Sequence, residues 1–214
     1  MKIFTTLATM LVLIGTTNAQ DDERSRKVIN DMIEKVRSYS TMAIEFETEL
    51  IDKENDLNIK QIGVVQVEDK KFHLVLEENT VISDGETVWT YSTDLNEVTI
   101  NDPEEMGDDM DPSQLFTMYE KGFKSQYVQE DIVNGKAVHV LKLFPLKPAE
   151  KAYHTVVLSV NKTTNIVEKV VLFYKEGNEV VYSVKIFTGD PDISASLFTF
   201  NKAKYPGVEV NDMR

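Results

Sequence analysis

From Met42 onward the apolar residues fall on alternate positions: Met42, Ile44, Phe46, Thr48 and Leu50 alternate with Ala43, Glu45, Glu47 and Glu49. A period of two is the signature of an antiparallel strand with one face buried. Segments of this kind recur along the chain, and about eleven strands can be counted with two amphipathic helices. A single sheet of that size does not stay flat and open, so the succession predicts a curled sheet, a barrel or half-barrel. The 214 residues, 42% apolar with 9 Gly and 6 Pro, suit one folded domain and exclude a collagen-like, disordered or polytopic membrane chain.

The strands are bounded by recognisable turns. Leu57 and Ile59 alternate, the pattern changes around Ile62-Gly63, and Val65 and Val67 resume it, which predicts a bulge or sharp bend at Gly63. Phe72, Leu74 and Leu76 make the next strand, and Val81-Ile82 another. Ser83-Asp84-Gly85-Glu86 is a tight turn leading into Trp89 and Tyr91, which share a face, and then to Val98 and Ile100. Five more strands are read between Tyr127 and Phe200, with hairpin signals at Asn134-Gly135, Lys162–Asn165 and Gly177-Asn178, and a last strand lies near Val208–Val210.

Two stretches follow a helical period instead. Val28, Ile29, Met32, Ile33 and Val36 recur at spacings of three and four between Arg24 and Tyr39. Asp111-Pro112 resembles a cap followed by proline at the first helical position, opening a second helix with Leu115, Phe116, Met118, Tyr119 and Phe123 on its apolar side and an end near Gly122. If the sheet stays open, its concave face is a hydrophobic trough and these two helices cover it.

The first residues read as an address. Lys2, an apolar run from Ile3 to Ile14, and the small or polar stretch Gly15 to Ala19 follow the order of a secretory signal. The run is shorter than the ~20 residues that span a bilayer. Cleavage is expected after Ala19, leaving residues 20–214 as one domain in the periplasm or outside the cell. The chain carries 23 basic and 36 acidic residues, a net −13 that disfavours nucleic acid and anionic membrane surfaces as partners. With no cysteine there is no disulfide, thiolate nucleophile or Cys-ligated metal.

Catalytic patterns are wanting. His73, His139 and His154 stand alone in strand patterns without a partner at ligand spacing, so no metal site is assigned. No G-x-S-x-G elbow or Gly-rich phosphate loop occurs. The acidic loop from Asp102 places Met106 at position five of a calcium loop and Ser113 at position twelve, where a bidentate carboxylate is needed, and it reads as solvated. Glu45, Glu47 and Glu49 read as a water-facing row rather than paired glycosidase carboxylates. No catalytic residue and no cofactor is assigned.

Two stretches carry a resemblance. Ser83-Asp84-Gly85-Glu86-Thr87-Val88-Trp89-Thr90-Tyr91, followed by Asn96-Glu97-Val98-Thr99-Ile100, resembles the S-D-G-x-x-x-W-x-Y strand pair of the outer-membrane lipoprotein carrier proteins. Phe198-Thr199-Phe200 and Pro206-Gly207-Val208-Glu209-Val210-Asn211-Asp212-Met213-Arg214 is similar to that family's F-x-F and P-x-G-V-x-V-x-D-x-R ending. The resemblance implies an unclosed antiparallel β-barrel with a helical lid over a hydrophobic cavity. It also implies a periplasmic chaperone that takes the acyl chains of lipoproteins from an inner-membrane ABC transporter to an outer-membrane acceptor. One departure stands out: the family's lid-holding arginine in the hairpin after the second strand has no counterpart in Val67-Glu68-Asp69-Lys70-Lys71, and a lysine lacks the planar fork of a guanidinium.

On this reading Phe46, Val65, Val67, Phe72, Leu74, Trp89, Tyr91, Leu143 and Phe173 line the trough, and Leu115, Phe116 and Met118 lie on the lid. The protein is expected to act as a monomer. Two other classes stay open: a lipid- or lipoprotein-binding half-barrel used as an envelope sensor or structural module, and an enzyme with an unrecognised site.

Overall fold

The computed structural model describes residues 17–77, 79–106, 119 and 121–214. Helix α1 (Thr17–Arg37) is followed by twelve strands: β1 (Thr41–Asp52), β2 (Leu57–Glu68), β3 (Lys71–Leu76), β4 (Asn79–Ser83), β5 (Val88–Ser92), β6 (Glu97–Asn101), β7 (Phe123–Val133), β8 (Lys136–Pro145), β9 (Tyr153–Asn161), β10 (Val167–Tyr174), β11 (Glu179–Gly189) and β12 (Glu209–Asp212). The helix begins seven residues before the Arg24 expected from the sequence and stops at Arg37, short of Tyr39.

All twelve strands form one unclosed sheet in the order β12-β6-β5-β4-β3-β2-β1-β11-β10-β9-β8-β7. Two antiparallel meanders, β1–β6 and β7–β11, are joined edge to edge by the β1–β11 pair. The last strand differs from the rest, for β12 lies parallel to β6 at one edge while β7 forms the other. The turns follow their residues: Asn134 and Gly135 both have positive φ, as a two-residue hairpin of the primed type requires. At Asp84, the carboxylate accepts the backbone N–H groups of Glu86 and Thr87 at 2.9 and 2.8 Å, while Gly85 takes φ +92°.

The core occupies one face of the sheet, called here the inner face. Val28, Ile29, Met32, Ile33 and Val36 of α1 pack with Ile44, Val65, Val67, Phe72, Leu141, Leu143, Val156, Leu158 and Val170, which arrive from several strands of both meanders. The helical period and the strand period therefore meet on one surface, and burial of these side chains is the main force holding helix to sheet.

A second, smaller apolar layer covers part of the outer face. After β11 the chain runs through a short 3₁₀ turn (Ala195–Phe198) that lies against β3 and β4, where Ile82 and Phe198 are both buried. Tyr205 meets Tyr91 of β5 at 4.4 Å between ring centroids and Phe200 at 4.8 Å. The five strands expected between Tyr127 and Phe200 end at Gly189, and the chain after them forms a strap across the outer face.

Two further expectations change. Gly63 is not a bulge in β2: its pairing with β1 runs unbroken from Leu57 to Glu68, and Leu57, Ile59, Gly63, Val65 and Val67 all share one face. The irregularity sits on the other side of β1, between Glu45 and Phe46 against β11, where the register steps over Lys185. Phe123, assigned to the second helix, is the first residue of β7. The rest of that helix, residues 111–118, lies outside the described residues, as do the first sixteen.

Candidate functional site: the inner face and its open end

Strand register decides which of the expected trough residues meet. Ile44 pairs with Val65, Val65 with Leu74, and Leu74 with Val81, so these side chains form one row on the inner face. Met42, Val67 and Phe72 form the next row. Phe46 lies opposite Gly63 and, across β11, opposite Val184. Leu143 belongs to the same face through its pairing with Val156. Six of the nine expected residues, Phe46, Val65, Val67, Phe72, Leu74 and Leu143, therefore share the inner face.

The other three do not. Phe72 pairs with Ser83, while its neighbour His73 pairs with Ile82 and Ile82 with Trp89, which puts Trp89 and Tyr91 on the outer face. Tyr91 holds the C-terminal strap through Tyr205, and its hydroxyl donates to Asn96 Oδ1 at 3.2 Å. Phe173 alternates with the inner Leu172, faces outward between Thr155 and Glu179, and stacks on His154 at 6.3 Å. Placing these three in the trough is corrected by parity, since a side chain one residue along a strand points to the opposite face. The lid residues Leu115, Phe116 and Met118 lie outside the described residues.

Burial grades along the trough. On β2 the inner residues pass from Val67 at 2% and Val65 at 4% exposed to Ile59 and Leu57 at 43% each. On β1 the same gradient runs from buried Met42 and Ile44 to half-buried Phe46 and Leu50. The trough is therefore closed beneath the C-terminal end of α1 and open toward the β1–β2 hairpin. Leu50, Leu57 and Ile59 belong to the apolar face and were not singled out from the sequence, although their alternation was visible there.

Helix α1 is tied to the sheet by a polar clasp at its N-terminal end. The Arg24 guanidinium lies 3.8 Å from the centroid of the Tyr127 ring, and its Nη2 donates to Glu130 Oε1 at 2.6 Å. Lys162 Nζ reaches the other carboxylate oxygen of Glu130 at 2.5 Å. Hydrogen bonding to Lys162 first, and to Arg24 after it, holds the Glu130 carboxyl below its ordinary pKa. Tyr127 Oη is 3.0 Å from His139 Nδ1, and Ser25 Oγ lies 2.8 Å from Ser125 Oγ. Burial, then the Arg24 and Lys162 cations, lower the His139 pKa. In the hairpin after β2, Lys71 Nζ lies 3.5 Å from its neighbour Glu68 Oε1.

Two of the three glutamates in the outer acidic row are paired with lysines. Glu47 pairs with Lys185 at 3.3 Å, and Glu49 with Lys60 at 3.5 Å. Among the described residues no three His, Asp or Glu side chains gather at metal-binding distance. The inner face is thus an apolar surface walled by aliphatic and aromatic side chains, buried at one end and exposed at the other.

Comparison with known proteins agrees with this geometry. The sequence model of the family described as "Outer membrane lipoprotein carrier protein LolA" matches residues 39–201. An outer-membrane lipoprotein carrier protein of Histophilus somni (strain 2336) is 22% identical over 211 residues, 96% of each chain. Among solved structures, an uncharacterized conserved protein from Thermus thermophilus superposes with a TM-score of 0.58 at 11% identity, covering 86% of this chain and 98% of that one. A domain from Vibrio parahaemolyticus described as outer membrane lipoprotein-sorting superposes with a TM-score of 0.50 at 11% identity, over 86% and 99% of the two chains. The two structures bear on the fold alone.

Proposed function

The chain belongs to the outer membrane lipoprotein carrier protein family, and from that premise we propose that it is a periplasmic chaperone that holds lipoprotein acyl chains and carries them across the periplasm. The observation that carries this reading is the graded inner face, buried at Val67 and open at Leu57 and Ile59. An acyl chain entering at the hairpin end would gain about 0.8 kcal/mol for each CH₂ it buries. A carrier must also release its cargo. Apolar residues of α1 fill the trough beside Val65 and Phe72, so cargo competes with the helix for the same surface and net affinity falls.

In this reading residues 1–19 are a signal peptide removed after Ala19. The donor is an inner-membrane lipoprotein-releasing ABC transporter, and the recipient an outer-membrane acceptor. The chaperone acts without catalysis or cofactor. Arg24, reaching from α1 to Tyr127 and Glu130, supplies the guanidinium grip on the covering helix that the β2–β3 hairpin lacks.

The test is release. Purified mature protein is added to proteoliposomes bearing the transporter and loaded with lipoprotein, and the soluble fraction is assayed for complex. One soluble lipoprotein per carrier is expected. Tight acyl-chain binding with no release would replace the shuttle with a lipid-sensing role.

A further inference from the structure

The long β1–β2 hairpin outruns the strand beside it. Residues Leu57 to Ile62 of β2 pair with β1 on one side, but β3 joins only at Gly63, opposite Leu76. Along these six residues the alternate N–H and C=O groups that turn away from β1 form a main-chain edge that no described residue pairs. This edge lies inside the sheet order, between β1 and the end of β3, rather than at either outer margin. Its inner face carries Leu57 and Ile59, each 43% exposed, with Gln61, while on the outer face Asn58 and Lys60 precede Ile62, which is 68% exposed. The one lysine in the run, Lys60, turns across β1 to Glu49 and does not guard the edge.

Unpaired strand N–H and C=O groups beside apolar side chains are a template for adding an extended polypeptide. The inner residues of this same segment continue, on one strand face, into the buried Val65 and Val67. The geometry points to this edge as the docking site for the polypeptide stem of the cargo, the residues next to its acylated terminus, added as an extra strand beside β2 while the acyl chains lie in the trough. The inference rests on the carrier reading and extends it from lipid to protein. Strand addition recognises main chain and tolerates different side chains, which suits a carrier that must accept many cargo sequences and hold them more tightly than lipid alone.

The test uses the full mature protein and two synthetic lipopeptides, a tri-acylated cysteine followed by a ten-residue stem and the same molecule with alternate stem amides N-methylated. Amide exchange at residues 57–62 and the dissociation constant are measured for each, with palmitate as the lipid-only probe. The ordinary lipopeptide is expected to protect the amides among these that face away from β1, and the methylated one to bind about tenfold more weakly and protect none. Ile62→Glu, at an exposed position that folding does not require, should weaken the ordinary lipopeptide and leave palmitate unchanged. Equal affinity of the two lipopeptides with no protection would overturn the edge and leave the carrier standing. Protection that grows with protein concentration alone would mean a second copy pairs there, and would overturn it too. Failure to bind either lipopeptide would remove both readings.

Discussion

The ring of Phe46 lies across Gly63 on the neighbouring strand so closely that a methyl group on Gly63 would sit 2.5 Å from Phe46 Cζ. Gly63 is thus required by contact, since its strand is regular and its φ ordinary. Gly63→Ala is expected to cost about 1–3 kcal/mol through overpacking. Chemical denaturation of Gly63→Ala, Phe46→Leu and the double variant checks this. The double variant should be less destabilised than the sum of the singles, because the smaller side chain leaves room for the methyl.

Face assignment makes a sharper test of the trough. Leu74 is half-buried on the inner face, whereas Phe173 is half-buried on the outer. Leu74→Glu would place a charge among apolar side chains and is expected to weaken binding of a fluorescent fatty acid by about tenfold or more. Phe173→Glu should leave that affinity within about twofold, since it lies a sheet's thickness from the ligand. Equal losses in the two variants would mean that the inner face is not the binding surface.

How much of this was legible in the sequence depends on what alternation can say. The strands, their turns at Asn134-Gly135 and Gly177-Asn178, and the open sheet follow from period and turn chemistry. Parity along each strand was equally visible, as with Trp89 and Tyr91 sharing a face. Which parity faces the core was not, because the strap from Ala195 to Val208 buries the outer face of β3–β6 and makes both faces apolar. In β4 Val81 turns inward and Ile82 outward, and sequence offers no sign between them. The two stretches that carried the family resemblance pair with each other there, Glu97–Ile100 alongside Glu209–Asp212, so they mark the scaffold rather than the trough. The clasp was illegible for another reason. Arg24 lies 106 residues before Glu130, and only the docking of α1 on β7 brings it to Glu130 and Tyr127.

That clasp adds to the apolar packing that holds α1 down. The Arg24 guanidinium over Tyr127 is a cation–π contact at a partly exposed site, worth about 0.5–1 kcal/mol. Arg24→Ala should therefore speed amide exchange of α1 about two- to fivefold under conditions where exchange follows local opening. Fatty-acid uptake should accelerate by a similar factor, since the helix and the ligand compete for the inner face. Arg24→Lys keeps the charge but loses the planar stacking, and is expected to fall between the two. Unchanged exchange in Arg24→Ala would show that apolar packing alone holds the helix.

The strap gives the fold an acid sensitivity of its own. His73 of β3 sits on the outer face between Gln66 and Ile82, and burial, then the Lys204 cation of the strap, depress its pKa below the ordinary 6.5. The unfolded chain therefore takes up a proton at His73 before the folded one does. Stability from the neutral ring is fully present above pH 6.5 and is lost as the pH falls toward the lower folded pKa. His139, depressed for the same first reason, adds to the slope with the same sign. Thermal unfolding between about pH 7.5 and 5 should show a falling Tm in the wild type and a shallower fall in His73→Gln. The double variant with His139→Gln should be shallower still. Lys204→Gln removes one of the two causes while leaving the ring buried, so it should narrow the window without closing it. A His73→Gln profile parallel to the wild type would place the acid sensitivity elsewhere in the fold.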